Sequence, residues 1–165
     1  MKKVLLAIGM LAVSINNAVA GFNNWDYEME NNPFSGGIKI YSINMTSIRS
    51  GVAILCDSSE KAIKIRSIPG FVYDSSLDYV TPEIKIAIDG DIILIGLEGR
   101  TGSVGDNLAM SEAKLEGDDA RIFLTAFKKA ARQVAIENGI STGPILLTAR
   151  GSTKTGQALE KCLSN

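Results

Sequence analysis

The chain has 165 residues, 45% of them hydrophobic, with 17 Lys and Arg against 18 Asp and Glu and no histidine. That balance lacks the basic excess that binding a phosphate backbone needs, which excludes nucleic acid as the main partner. The missing histidine excludes Ser-His-Asp and Cys-His catalysis and deprives zinc of a common ligand.

Residues 1–20 have the three parts of a secretory signal. Lys2 and Lys3 form a positive start, residues 4–13 are apolar, and Ala18-Val19-Ala20 supplies the small-x-small pattern that signal peptidase accepts. The apolar stretch is roughly 10 residues, short of the ~20 that span a bilayer. The pattern predicts cleavage between Ala20 and Gly21, a mature chain of residues 21–165 forming a single globular domain, and no stable membrane insertion. Removing Lys2 and Lys3 leaves 15 basic against 18 acidic side chains, a formal charge of −3. An exported chain with two cysteines predicts one disulfide, Cys56 to Cys162. Closing a loop of about 106 residues stabilises a fold by roughly 4–5 kcal/mol in the chain-entropy treatment.

The first two thirds of the mature chain read as strands. Residues 25–30 alternate aromatic and acidic side chains before Asn31-Asn32-Pro33. Ile38 and Ile40 share one face of the next strand, and Val52, Ile54 and Cys56 share another, which points the thiol inward. Ile63 and Ile65 continue the pattern with Lys64 and Arg66 facing out. Ile84, Ile86 and Ile88 precede Asp89-Gly90-Asp91 and the run 92–97, which predicts a tight antiparallel hairpin. Gly96, Gly99, Gly102 and Gly105 then mark residues 98–116 as a mobile loop, long enough to protrude from the fold.

Residues 118–138 change to a helical period, with Phe123, Phe127, Ala130 and Val134 on one face, acidic residues at the start and Gly139 as the stop. Arg121, Lys128, Lys129 and Arg132 form its solvated basic side. Residues 143–149 read as a further strand, and a closing helix from about Thr153 puts Leu159, Cys162 and Leu163 on one stripe. The expected fold is therefore α+β: a β-rich antiparallel sheet or compact sandwich, one main helix, and a disulfide-tethered C-terminal helix.

Chemistry is sparse. Lys154-Thr155-Gly156 and Ser58-Ser59-Glu60-Lys61 resemble elements of penicillin-binding enzymes. Ser111-Glu112-Ala113-Lys114 matches the second pattern equally well, no S-D-N exists, and the chain is too short for that fold. Carboxylates for glycoside hydrolysis are available at Asp78, Glu83, Asp89, Asp91, Asp118 and Asp119, although turns and helix starts account for most of them. Asn44-Met45-Thr46 fits a glycosylation sequon, and Trp25, Tyr27 and Phe34 are apolar candidates near the mature start. No catalytic, cofactor-binding or metal-binding residue is assigned, and no cofactor is expected.

The layout combines Trp25, Phe34, the strand 52–56 ending in Cys56, the amphipathic helix from Phe123 to Val134, and an ending that runs from Gly151 through Ala158-Leu159 to Cys162. In this it resembles the periplasmic accessory proteins of type VI secretion, the TagO/VasI family. The family carries an arginine closely before an aspartate on its central strand; here Asp89 is kept and residues 84–88 hold no arginine. The resemblance implies a periplasmic or secreted, non-enzymatic binding or accessory protein with a protein partner in the envelope. The alternatives are an envelope inhibitor or exclusion protein acting through the 98–116 loop on a lysozyme-like enzyme or surface receptor, and a small cell-wall hydrolase.

Overall fold

The structure, a computed structural model, describes residues 21–31, 33–34 and 36–165. The predicted signal segment up to Ala20 lies outside the described residues; Gly21, on the other side of the expected cleavage bond, starts the first strand. The strands are β1 (Gly21–Phe22), β2 (Asp26–Asn31), β3 (Ile38–Met45), β4 (Gly51–Asp57), β5 (Ala62–Ile68), β6 (Glu83–Ile88), β7 (Asp91–Val104), β8 (Leu108–Leu115), β9 (Gln133–Glu137) and β10 (Ile145–Thr148). The helices are α1 (Gly117–Lys129) and α2 (Ser152–Ser164). The fold is mixed α+β, as the periodicity predicts.

The strands form one sheet in the order β1-β3-β4-β5-β8-β7-β6-β9-β10, with β2 also paired to β3. Every pairing is antiparallel except β1 with β3. Alternation puts Ile40, Val52, Ile54, Cys56, Ile63 and Ile65 on one buried face, and both helices pack there. Phe123 and Phe127 stack with centroids 5.1 Å apart, and Trp25 meets Phe127 edge-on at 5.1 Å. Cys162, fully buried on α2, is bonded to Cys56 on β4. The C-terminal helix is thus tied to the inner face of the sheet.

The sheet curls until its ends meet. Thr148 on β10 accepts from the Trp25 indole N–H at 2.9 Å and from Asn44 Nδ2 on β3 at 3.3 Å. Its hydroxyl donates to the Asn23 carbonyl at 2.7 Å. Side chains and turns, rather than a strand pairing, close this seam. Asn44 is fully buried in it, so the sequon asparagine presents no amide to a glycosylating enzyme.

Two expectations are corrected. The glycine-rich stretch is sheet rather than a mobile loop: residues 91–98 of β7 pair with β6, residues 99–104 pair with β8, and only a three-residue turn separates β7 from β8. Gly96, at φ +73°, lies between Leu94 and Leu97, where the register of β7 against β6 shifts shortly before β7 passes to β8; a glycine there allows the irregularity that bends a strand. The main helix is also shorter than its apolar period. It ends at Lys129, and Val134 belongs to β9, where Val134 and Ile136 alternate inward. The stop is enforced by Asp89, whose carboxylate accepts from the backbone N–H groups of Ala131, Arg132 and Gln133 at 2.7–2.9 Å. Those three donors are thereby withheld from a continuing helix.

Candidate functional site

The connection between β5 and β6 carries apolar residues outside any strand. Asp74 caps a short 3-10 turn (Ser75–Tyr79) by accepting from Ser76 N–H at 2.8 Å, and Ser76 holds its carboxyl below the usual range. The Thr101 hydroxyl on β7 donates to the Leu77 carbonyl at 2.7 Å, which fastens the turn to the sheet. Facing it is the β9–β10 loop, organised by the buried Asn138. Its Oδ1 accepts from Ile140 and Ser141 N–H at 3.0 and 2.9 Å, while its Nδ2 donates to Ser141 Oγ at 2.8 Å.

Between the two segments lies a groove of about 510 Å³ lined by Phe71, Leu77, Val80, Gly139, Ile140, Ser141 and Thr142. None of these side chains is charged. Tyr79, on the same turn, is 92% exposed. The sequence signal was present but unassigned: Phe71-Val72-Tyr73 and Tyr79-Val80 are apolar clusters lying outside the strand periodicity.

A second feature lies on the outer face of β5, β8 and β7. Cross-strand register aligns Arg66, Glu112 and Arg100. Arg66 donates through Nε and Nη2 to one Glu112 oxygen at 2.9 and 2.6 Å, and Arg100 does the same to the other at 3.1 and 2.6 Å. Glu112 is 4% exposed although it points away from the core, because the two guanidiniums cover it. Burial alone would raise its pKa; the hydrogen bonds and charges of Arg100 and Arg66 outweigh that and hold the carboxyl low. In the sequence, alternation places Arg66 on an outward face, Glu112 enters only through the Ser111-Glu112-Ala113-Lys114 match, and no local pattern marks Arg100.

A third feature is apolar. On the outer face of the other half of the sheet, register places Leu146, Ala135, Ala87 and Ile92 in one row across β10, β9, β6 and β7. Leu146 is 52% and Ile92 67% exposed.

The residues singled out from the sequence are dispersed. Asp89 serves the turn described above, Asp118 pairs with Arg121 at 2.8 Å, and Asp78 bonds the Tyr73 hydroxyl. Register sets Glu83 opposite Glu98, and Asp91 and Asp119 are exposed at element starts. The basic helix side is divided among partners: Lys128 meets Glu160 on α2 at 2.6 Å, and Arg132 donates to the Asp89 carbonyl. Lys154-Thr155-Gly156 lies in a helix, where a β-carbon on Gly156 would stand 2.5 Å from Lys128 Cγ, so the glycine serves helix packing. Trp25 is buried, Tyr27 half-buried and Phe34 98% exposed. Among the described residues no group of three or more acidic or cysteine side chains could hold a metal, and no helix is long and apolar enough to cross a membrane.

No family model matches the chain, and no curated protein or solved structure matches it.

Proposed function

We propose that this protein is a non-enzymatic binding or accessory protein of the cell envelope, working in the periplasm or an equivalent oxidising compartment. The uncharged groove between residues 71–80 and 139–142 is its docking site for a partner protein. The observation that carries the reading is that groove: Phe71, Leu77, Val80 and Ile140 line it, and Tyr79 stands exposed on the same turn. Apolar surface left open beside an aromatic residue fits an apolar segment of a partner protein better than a charged ligand. The Cys56–Cys162 bridge supports the compartment, since such bonds persist where thiols are not kept reduced. The resemblance to the TagO/VasI family extends the reading to an accessory component of type VI secretion. The inhibitor reading needs a protruding 98–116 loop, whereas residues 98–115 lie in β7, β8 and the turn between them and Glu116 precedes α1.

The test is site-specific photocrosslinking in intact cells. A photoreactive residue at Tyr79 or Ile140 should give a discrete adduct with one envelope protein, and Leu77→Asp should remove it. The same residue at Lys129, exposed on α1, serves as the control. Equal adduct patterns from the groove and control positions would sink the proposal.

A further inference from the structure

The Arg66–Glu112–Arg100 row has donors to spare. Glu112 occupies the Nε–H and one Nη2–H of each arginine. A guanidinium carries five N–H groups, so the Nη1 groups of both arginines and the second hydrogen of each Nη2 have no bonded partner among the described residues. Arg100 keeps 69% of its side chain exposed and Arg66 27%, so the row is open to solvent chiefly at Arg100. One buried carboxylate fixes both forks at once, because each of its oxygens is held by a different arginine. The row carries two positive charges and one negative, leaving it net positive.

The surroundings leave the arginines accessible. In register beyond Arg66 stands Ala53, and two positions beyond Arg100 on the same strand face stands Gly102. The next row along β5 and β8 pairs Lys64 with Lys114. Each lysine is already held by a carboxylate at its strand end, Glu60 at 2.7 Å and Glu116 at 2.5 Å. Glu98 lies two positions before Arg100 on β7. Glu83 stands opposite Glu98 on β6, so what the row offers an anion is the open donors of two oriented forks rather than a large positive field.

We propose that Arg66 and Arg100, oriented by Glu112, form an anion-binding site on the outer sheet face that takes a phosphate group. A second carboxylate offers two oxygens, as Glu112 itself does, whereas a phosphate offers at least one more acceptor to the donors left on two separate forks. Arginine forks are suited to phosphate for the same reason. The site is distinct from the groove between residues 71–80 and 139–142, and it holds whether or not that groove has a partner. A free phosphate and the phosphate of a lipid headgroup share this chemistry.

The experiment titrates inorganic phosphate into the disulfide-intact chain at about 150 mM salt, where long-range surface charge is screened. Binding is followed by the arginine Nε–H resonances in NMR and by calorimetry. Saturable binding that shifts the Arg66 and Arg100 signals is expected. Arg100→Gln should weaken it at least tenfold, and Lys129→Gln should leave it unchanged. Arg100→Lys keeps the charge and removes the fork, so it should weaken binding nearly as much; it also serves if the glutamine variant folds poorly. Vesicles of phosphatidylglycerol, set against neutral phosphatidylcholine, tell the sources apart. Phosphate binding together with phosphatidylglycerol binding that Arg100→Gln removes puts the natural phosphate on a lipid, and phosphate binding alone points to a soluble ligand. Non-saturable binding, equal loss in Lys129→Gln, or vesicle binding without phosphate binding would each overturn the proposal.

Discussion

The indole N–H of Trp25 donates to the backbone carbonyl of Thr148 at 2.9 Å and so joins the two ends of the curled sheet. The same ring packs edge-on against Phe127, so one side chain ties the seam to the main helix. Trp25→Phe keeps most of the packing and loses the donor. It should cost about 1 kcal/mol, the usual net worth of a single hydrogen bond. Trp25→Ala removes the ring and should cost about 3–5 kcal/mol. Urea unfolding followed by circular dichroism measures both; equal losses would show that the packing of the ring adds nothing beyond its hydrogen bond. Trp25 is the only tryptophan, so in the unmodified chain its emission reports directly on whether the seam is closed.

The bridge from Cys56 to Cys162 holds α2 against the inner face of the sheet. The loop it closes spans 106 residues, which predicts a loss of roughly 4–5 kcal/mol when Cys56→Ala and Cys162→Ala are combined. Both sulfurs are buried, so reduction of the native protein should be slow without denaturant. Comparing urea midpoints of the oxidised chain and the double variant tests the first statement. Thiol labelling against time under reducing conditions tests the second.

Much of this architecture is legible in local pattern. Period-two alternation in residues 52–56 and 84–88 finds two strands and the inward cysteine, and Asp89-Gly90 marks a hairpin that the structure contains, with Asp89 at φ +56° and Gly90 at φ +102°. What fails to show depends on distant partners. The residues of β8 (Leu-Ala-Met-Ser-Glu-Ala-Lys-Leu) favour helix or neither state, and they form a strand because β5 and β7 flank them. Glu112 looks like a surface residue until arginines 46 and 12 positions away converge on it. The spacing of Ala130 and Val134 fits a helix face equally well; the carboxylate of Asp89 and the pairing of Val134 with Ile88 and Leu147 decide against it. The groove joins segments about 60 residues apart in the chain, which no local period can report.

Asp89 therefore predicts a specific defect. Asp89→Asn replaces one carboxylate oxygen by an N–H donor that faces the backbone N–H groups of residues 131–133. The melting temperature should fall by several degrees, and the amides of Ala131, Arg132 and Gln133 should exchange faster with solvent than those of β4. Hydrogen exchange measures this directly. Unchanged protection at these three amides would remove Asp89 as the reason α1 stops.

Acid should weaken the fold through the same groups. Hydrogen bonds from the backbone N–H groups of Ala131, Gln133 and Arg132 hold the Asp89 carboxyl below its ordinary value. For Glu112, burial pushes upward but Arg100 and Arg66 prevail, so it too lies low. A carboxyl whose folded pKa is depressed stabilises the native state fully above its unfolded pKa, near 3.9 for Asp and 4.3 for Glu, and loses that contribution as pH falls through the folded value. Stability should accordingly be flat with respect to these groups at neutral pH and decline below about pH 4. Glu112→Gln strands two guanidiniums against a neutral amide, and solvent at Arg100 relieves part of the strain. It should cost about 2 kcal/mol at neutral pH, less than a fully buried pair would. The cost should shrink as the medium is acidified, because the unmodified chain then loses the same charge. Urea midpoints of both chains across pH 2.5 to 7, all below the titration range of arginine, should converge at the acid end. A constant gap between the two curves would mean that Glu112 acts through packing and not through its charge.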